Sequence, residues 1–92
     1  MFHTYLLRCS DGTFYAGSCA DLAARVAAHN RGDGAAWTAS RRPVTLVYSE
    51  PFGTRDEAVA REKQWKRWSH AKKAALADGD IGRLRALAMR RT

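Results

Sequence analysis

Short apolar runs alternate with polar punctuation along the chain, and their periods predict three strands and four helices. Thr4-Tyr5-Leu6-Leu7-Arg8-Cys9 is rich in aromatic and aliphatic residues and reads as a strand. Asp11-Gly12 then marks a hairpin, because Gly accepts the positive φ that such turns require. Phe14-Tyr15-Ala16-Gly17-Ser18 returns as the second strand. Asp21 is placed to cap a helix running to about Arg31, with Leu22 and Val26 one turn apart on its inward stripe and Gly32 and Gly34 ending it. From Asp33 to Pro43 no period emerges, which predicts a loop. Val44 to Ser49, bounded by Pro43 and Pro51, is β-branched or aromatic enough for a third strand. Thr54-Arg55-Asp56-Glu57 has the form of a capping box before a helix that reaches near Trp68. Ser69 caps a shorter helix through Ala77, and a last helix over 80–89 carries Ile81, Leu84, Leu87 and Ala88 as its apolar stripe. The order β-β-α-β-α-α plus a C-terminal helix predicts an α+β fold: a three-stranded, mainly antiparallel sheet flanked by helices.

The chain's 92 residues suit one domain over 1–92, with a core over about 2–77. A composition 46% hydrophobic and 27% charged fits a globular chain and argues against a disordered tail. No apolar run approaches the roughly 20 residues that would cross a bilayer. The start, Met1-Phe2-His3-Thr4-Tyr5, lacks the basic and apolar regions of a secretion signal. The expectation is a cytoplasmic chain with no membrane partner, a monomer or weak dimer, with Cys9 and Cys19 as reduced thiols. A formal charge of +7 points to a polyanionic partner. The surplus lies toward the C-terminus, where Arg61, Lys63, Lys66, Arg67, Lys72, Lys73, Arg83, Arg85, Arg90 and Arg91 face only Glu62, Asp78 and Asp80.

Several side chains in this pattern can carry chemistry. Ala58, Glu62, Trp65 and Trp68 follow one face of the long helix, so Glu62 falls within an apolar stripe. A carboxylate there needs a counter-ion, which leaves two readings: a structural salt bridge or a bound cation. Arg25 and His29 stand one turn apart on the first helix, as a phosphate clamp with a proton-transferring imidazole or as a solvated helix edge. Tyr5 and Tyr15 are strand aromatics unless a site uses them. Trp37, Trp65 and Trp68 either stack on bases or pack the core.

Taken in order, Thr4-Tyr5-Leu6, Tyr15-Ala16-Gly17, Arg25, Ala28-His29-Asn30, Arg42-Pro43-Val44, Leu46-Val47-Tyr48-Ser49 and Arg61-Glu62-Lys63-Gln64 make one pattern. It resembles the GIY-YIG nuclease superfamily, in particular its small stand-alone bacterial UPF0213 (YhbQ-like) group, from about Phe2 to Leu76. The resemblance implies a metal-dependent endonuclease that hydrolyses DNA phosphodiester bonds, with single-stranded or branched DNA in repair or recombination as the expected setting. Glu62 then corresponds to the single acidic ligand of Mg²⁺ or Mn²⁺, and Tyr5 to the residue that activates the attacking water. Tyr15 would support that step, Arg25 would neutralise the phosphate, and His29 would assist proton transfer. Lys63, Lys66, Arg67, Lys72, Lys73 and Trp37 are the expected nucleic-acid contacts. The chain departs from the family where Ser18 follows the second motif in place of a common lysine. Downstream of Glu62 it has Ser69, Lys72 and Lys73 in place of an asparagine. The alternative is a nucleic-acid-binding module with little or no catalysis.

The resemblance also sets a geometric condition. A two-residue Asp11-Gly12 turn would place Tyr5 and Tyr15 on opposite faces of the sheet. A shared site therefore predicts an odd loop or bulge with Gly12 at positive φ.

Overall fold

The computed structural model describes residues 1–89, and 1–88 for side chains. Arg90 and Arg91, counted above among the C-terminal cations, lie outside the described residues. The elements are β1 (Phe2–Arg8), β2 (Phe14–Cys19), α1 (Leu22–Arg31), α2 (Ala36–Ala39), β3 (Thr45–Phe52), α3 (Arg55–Lys66), α4 (His70–Asp78) and α5 (Ile81–Met89). The strands form one antiparallel sheet in the order β2-β1-β3, so the α+β architecture is as expected.

The hairpin meets the geometric condition. Its register pairs Leu7 with Tyr15 and Tyr5 with Gly17. Three residues, Ser10 to Gly12, therefore lie between the Cys9 and Thr13 that the closing bond Cys9 N–H to Thr13 O joins at 2.8 Å. Gly12 N–H closes the inner turn on Cys9 O at 3.0 Å, and Gly12 sits at φ +83. This odd loop is a common hairpin form that needs a left-handed residue at its third position. Paired residues point to one side, so Tyr5, Leu7, Tyr15 and Gly17 share a face. Leu6, Phe14, Ala16 and Ser18 take the other.

Each face buries its own cluster. On the first, Tyr5, Leu7, Cys9, Cys19 and Val44 meet Leu22 and Val26 of α1. On the second, Leu6, Phe14 and Ala16 meet Trp65 of α3, Leu76 of α4 and Leu84 of α5. Thr4, fully buried on this second face, donates its hydroxyl to Ala58 O at 2.7 Å and ties β1 to α3. The caps follow the sequence closely. Asp21 accepts from Ala24 N–H, Ser69 from Lys72 N–H, and Thr54 with Glu57 forms the full capping box.

Five details differ from the sequence reading or go beyond it. The stretch expected to be a loop holds the short helix α2, closed by Thr38 and Ala39 N–H groups on Ala35 O. Strand β3 runs through Pro51 to Phe52; it is an edge strand, where a residue lacking an N–H is tolerated. A register shift against Leu6 and Leu7 inserts one extra residue in β3, which allows both Val47 and Tyr48 to pack on the second cluster. α3 ends at Lys66 rather than near Trp68, and Ile81, placed on the apolar stripe of the last helix, is half exposed at 50%.

Trp65 is the largest fully buried side chain, with Tyr48 and Trp68 against it at ring-centroid distances of 5.7 and 6.4 Å. Trp65→Ala is therefore expected to cost about 3–5 kcal/mol of stability, read from the shift in a urea unfolding curve. A loss below about 1 kcal/mol would mean that this layer is not closely packed.

Candidate active site

The shared face of Tyr5 and Tyr15 is the one covered by α1, and His29 comes down onto both rings. Its ring lies 5.8 Å from that of Tyr5 and 5.3 Å from that of Tyr15. Of the two sequence readings of His29, the solvated helix edge is excluded: the ring is 1% exposed and bonded through both nitrogens. Nε2 is 2.9 Å from the Tyr5 hydroxyl and Nδ1 is 2.8 Å from Thr38 Oγ1.

The direction of these bonds follows from counting protons. Thr38 has one hydroxyl proton and gives it to Ala35 O at 2.9 Å. Its oxygen is left to accept, so His29 Nδ1 carries the ring proton and Nε2 is bare. Tyr5 then donates to Nε2. The chain of donors runs Tyr5 to His29 to Thr38 to Ala35. Burial, reinforced by the Arg25 charge, lowers the pKa of His29 below its ordinary 6.5 and keeps the ring neutral. Burial raises the Tyr5 pKa to about 12, against an opposing pull from Arg25. Both shifts favour the neutral hydrogen-bonded pair over a resting phenolate.

Two glycines allow this packing. A Cβ on Gly17 would overlap the Tyr5 hydroxyl, and one on Gly34 would overlap the His29 ring. The second motif's glycine thus has a steric reason: the first motif's tyrosine lies across it.

Tyr15, Arg25 and His29 line one cavity of about 450 Å³, together with Asp33, Gly34 and Ala35. Tyr15 is half-buried there, whereas Tyr5 lies beneath, 1% exposed. Glu62 lines neither this cavity nor the smaller one beside it. Its Oε1 accepts the Ser18 hydroxyl at 2.7 Å, and its Oε2 pairs with Lys66 Nζ at 2.8 Å. Ser18 belongs to the second face of the sheet. Lys66 nevertheless reaches within 5.5 Å of the centre of the Tyr15 ring, on the first. It passes round β2, which has no strand beyond it. Glu62 is thus joined to the tyrosine face across the sheet edge rather than set beside the two rings.

Among the described residues no three His, Cys, Asp or Glu side chains cluster as a ready ligand set. A divalent ion would have Glu62 as its carboxylate and would displace Lys66 from it. That donor set fits Mg²⁺, which keeps several waters and commonly binds through one or two carboxylates plus substrate phosphate.

The basic residues divide. Lys66 and Lys73 lie close enough that the Lys66 charge, after burial, lowers the pKa of Lys73. Lys72 Nζ sits 4.4 Å over Trp68. Lys63 and Arg67 are exposed. Trp37 on α2 is 39% exposed and nearly parallel to Tyr15 at 6.1 Å, but the Arg41 guanidinium already lies 4.0 Å from its ring centre. Arg61, between Trp65 and Trp68, is held by Glu50 at 2.9 Å.

Sequence reasoning missed Thr38, Gly34 and Asn30. Asn30 bonds both N–H and C=O of Val44, at 2.7 and 3.1 Å, and so ties the end of α1 to the approach to β3. No local period marks these residues, since each acts on a distant backbone or ring.

A strand-borne tyrosine pair, a buried histidine and a helix-borne carboxylate at the sheet edge define the arrangement. The chain belongs to the GIY-YIG family: residues 1–75 match the model of the GIY-YIG catalytic domain, a nuclease-type domain. Within that family its relatives are UPF0213 proteins. One from Halobacterium salinarum is 50% identical over 76 residues, covering 83% of this chain and 99% of the relative. One from Staphylococcus aureus is 49% identical over 72 residues, covering 78% and 88%. The solution NMR structure of the UPF0213 protein BH0048 from Bacillus halodurans shares 35% identity, covers 85% of this chain and 84% of its own, and superposes with a TM-score of 0.53.

Neutral His29 makes stability depend on pH. The unfolded chain takes up a proton below about pH 6.5 that the folded chain resists, so this group's contribution is whole above that pH and is lost as pH falls. Urea midpoints should decline from pH 7.5 to 5, and His29→Gln should flatten that decline. An unchanged slope in the variant would show that His29 is not the group responsible.

Proposed function

We propose that this chain is a divalent-metal-dependent endonuclease that hydrolyses DNA phosphodiester bonds. The observation that supports it most is the directed chain from Tyr5 through His29 to Thr38, set under a cavity that Arg25 lines. Such a chain offers a route by which a proton can leave a reacting group.

In this reading the scissile phosphate occupies the cavity lined by Tyr15, Arg25 and His29. Arg25 offsets the charge that gathers on its oxygens, and Tyr15 holds one of them. The water oxygen bonds to phosphorus while the bond to the leaving deoxyribose oxygen breaks. The water's proton passes to the Tyr5 oxygen as the Tyr5 hydroxyl proton passes to His29 Nε2. No free phenolate is required, which removes the difficulty of a tyrosine whose pKa is about 12. Thr38 accepts from Nδ1 throughout and fixes the tautomer that leaves Nε2 bare. Glu62 would hold the divalent ion, whose bound chemistry is Lewis-acid stabilisation of the leaving oxygen. Lys66 then moves from Glu62 toward the nucleic acid.

The 1% exposure of Tyr5 favours a second assignment of the same activity. There the water meets Tyr15, which faces the cavity, and Tyr5 serves to orient His29.

Incubation of the protein with single-stranded, branched and duplex DNA in Mg²⁺ tests the proposal. Glu62→Ala, by loss of the metal's carboxylate, and Tyr5→Phe, by loss of a proton-transfer group, should each lower the cleavage rate by at least about a hundredfold. A larger loss in Tyr15→Phe than in Tyr5→Phe selects the second assignment. Salt-sensitive binding without cleavage, more dependent on Lys66 and Lys73 than on Glu62, would replace the enzyme with a binding module.

A further inference from the structure

Beside the Tyr15 cavity lies a second one, of about 240 Å³, whose lining includes Ser18, Cys19, Arg25, Arg55 and Ala58, with Phe2 on its wall. Arg25 lines both cavities, so one guanidinium stands between two neighbouring recesses. Arg55 is the first residue of α3, exposed, and among the described residues neither it nor Arg25 pairs with a carboxylate. The acids next to it in sequence are Asp56 and Glu57; Glu62, which bonds the cavity-lining Ser18, is already paired with Lys66, and Asp21, whose charge reaches Cys19, caps α1. Glu57 is committed to the capping box, where Thr54 N–H and hydroxyl both reach its Oε1 at 3.2 and 3.0 Å. Ser18 cannot serve as the donor here, because its proton goes to Glu62. Two guanidinia without counter-ions therefore supply the cavity's charge, and Phe2, Ala20 and Ala58 give it apolar walls.

We propose that this second cavity is a subsite for a phosphate adjacent to the scissile one, bound by Arg55 with Arg25 shared between the two. The ligand is a phosphodiester strand, whose regular charges can fill two recesses bridged by one arginine while a sugar rests on the apolar wall. The inference rests on the first cavity being the phosphodiester site. It gives the strand a path across α1, from the Tyr15 side toward the start of α3. Arg55 is a binding residue in this scheme and takes no part in bond breaking.

Two measurements separate it from the catalytic reading. In chelator, where no cleavage is expected, Arg55→Gln should weaken binding of a single-stranded oligonucleotide about ten- to a hundredfold. It should also lower the slope of log affinity against log salt by about one. Arg55→Lys should retain part of the affinity. In Mg²⁺, replacing the phosphate next to the cleaved bond by a neutral methylphosphonate should raise KM for the wild-type protein and leave Arg55→Gln unaffected, with kcat similar in both. Cleavage with binding indifferent to Arg55 would overturn the subsite and keep the nuclease. Binding that depends on Arg55 without any cleavage would keep the subsite and overturn the nuclease. If inorganic phosphate alone competes as well as the oligonucleotide, at the same concentration, the strand is the wrong ligand and the proposal fails.

Discussion

The register of the first hairpin is the constraint on which the site depends. One residue more or fewer in the loop would turn both Tyr15 and Gly17 to the α3 side and leave Tyr5 without either of them. The loop length in turn depends on Gly12, because its left-handed backbone at φ +83 is open to glycine and costly for residues with a Cβ. A backbone preference at one exposed turn thus determines which side chains meet on the α1 face. The tyrosines, the histidine and the cavity follow from it.

Below that level, the site is held by polar groups in an apolar setting. His29 and Thr38 are among the largest fully buried side chains, and their bonds are satisfied in a single direction. Buried polar networks of this kind are costly unless complete, and completeness here requires α2 to present Thr38 beneath the imidazole. The four residues of α2 are therefore part of the functional architecture although they bury little themselves. The same logic explains Asn30, whose side chain satisfies both backbone groups of Val44 and so closes the long connection over the histidine.

Local signals in the sequence were sufficient for most of the frame. Asp11-Gly12, Asp21, the Thr54–Glu57 box and Ser69 are short-range devices that state where elements begin, and the structure uses each one. The family pattern named Tyr5, Tyr15, Arg25, His29 and Glu62 by order along the chain. What it could not state was depth. Arg25 and His29 are neighbours on one helix face, yet one is exposed and the other 1% exposed, because the difference is made by α2 and Gly34 arriving from later in the chain. Ser18 likewise looked like a departure from a common lysine. In the structure it bonds Glu62 on the α3 side of the sheet, and a cation still reaches the same carboxylate, supplied by Lys66 on the helix itself. The shift in β3 and its passage through Pro51 were hidden for a similar reason: both depend on the strand lying at the border of the sheet.

The position of β2 at the other border has its own consequence. Lys66 curls over an edge strand, so the two halves of the candidate site meet across a margin that a fourth strand would fill. Addition of any β-strand along that margin, whether from a peptide or from another copy of the chain, would wall the lysine and its carboxylate off from the aromatic side.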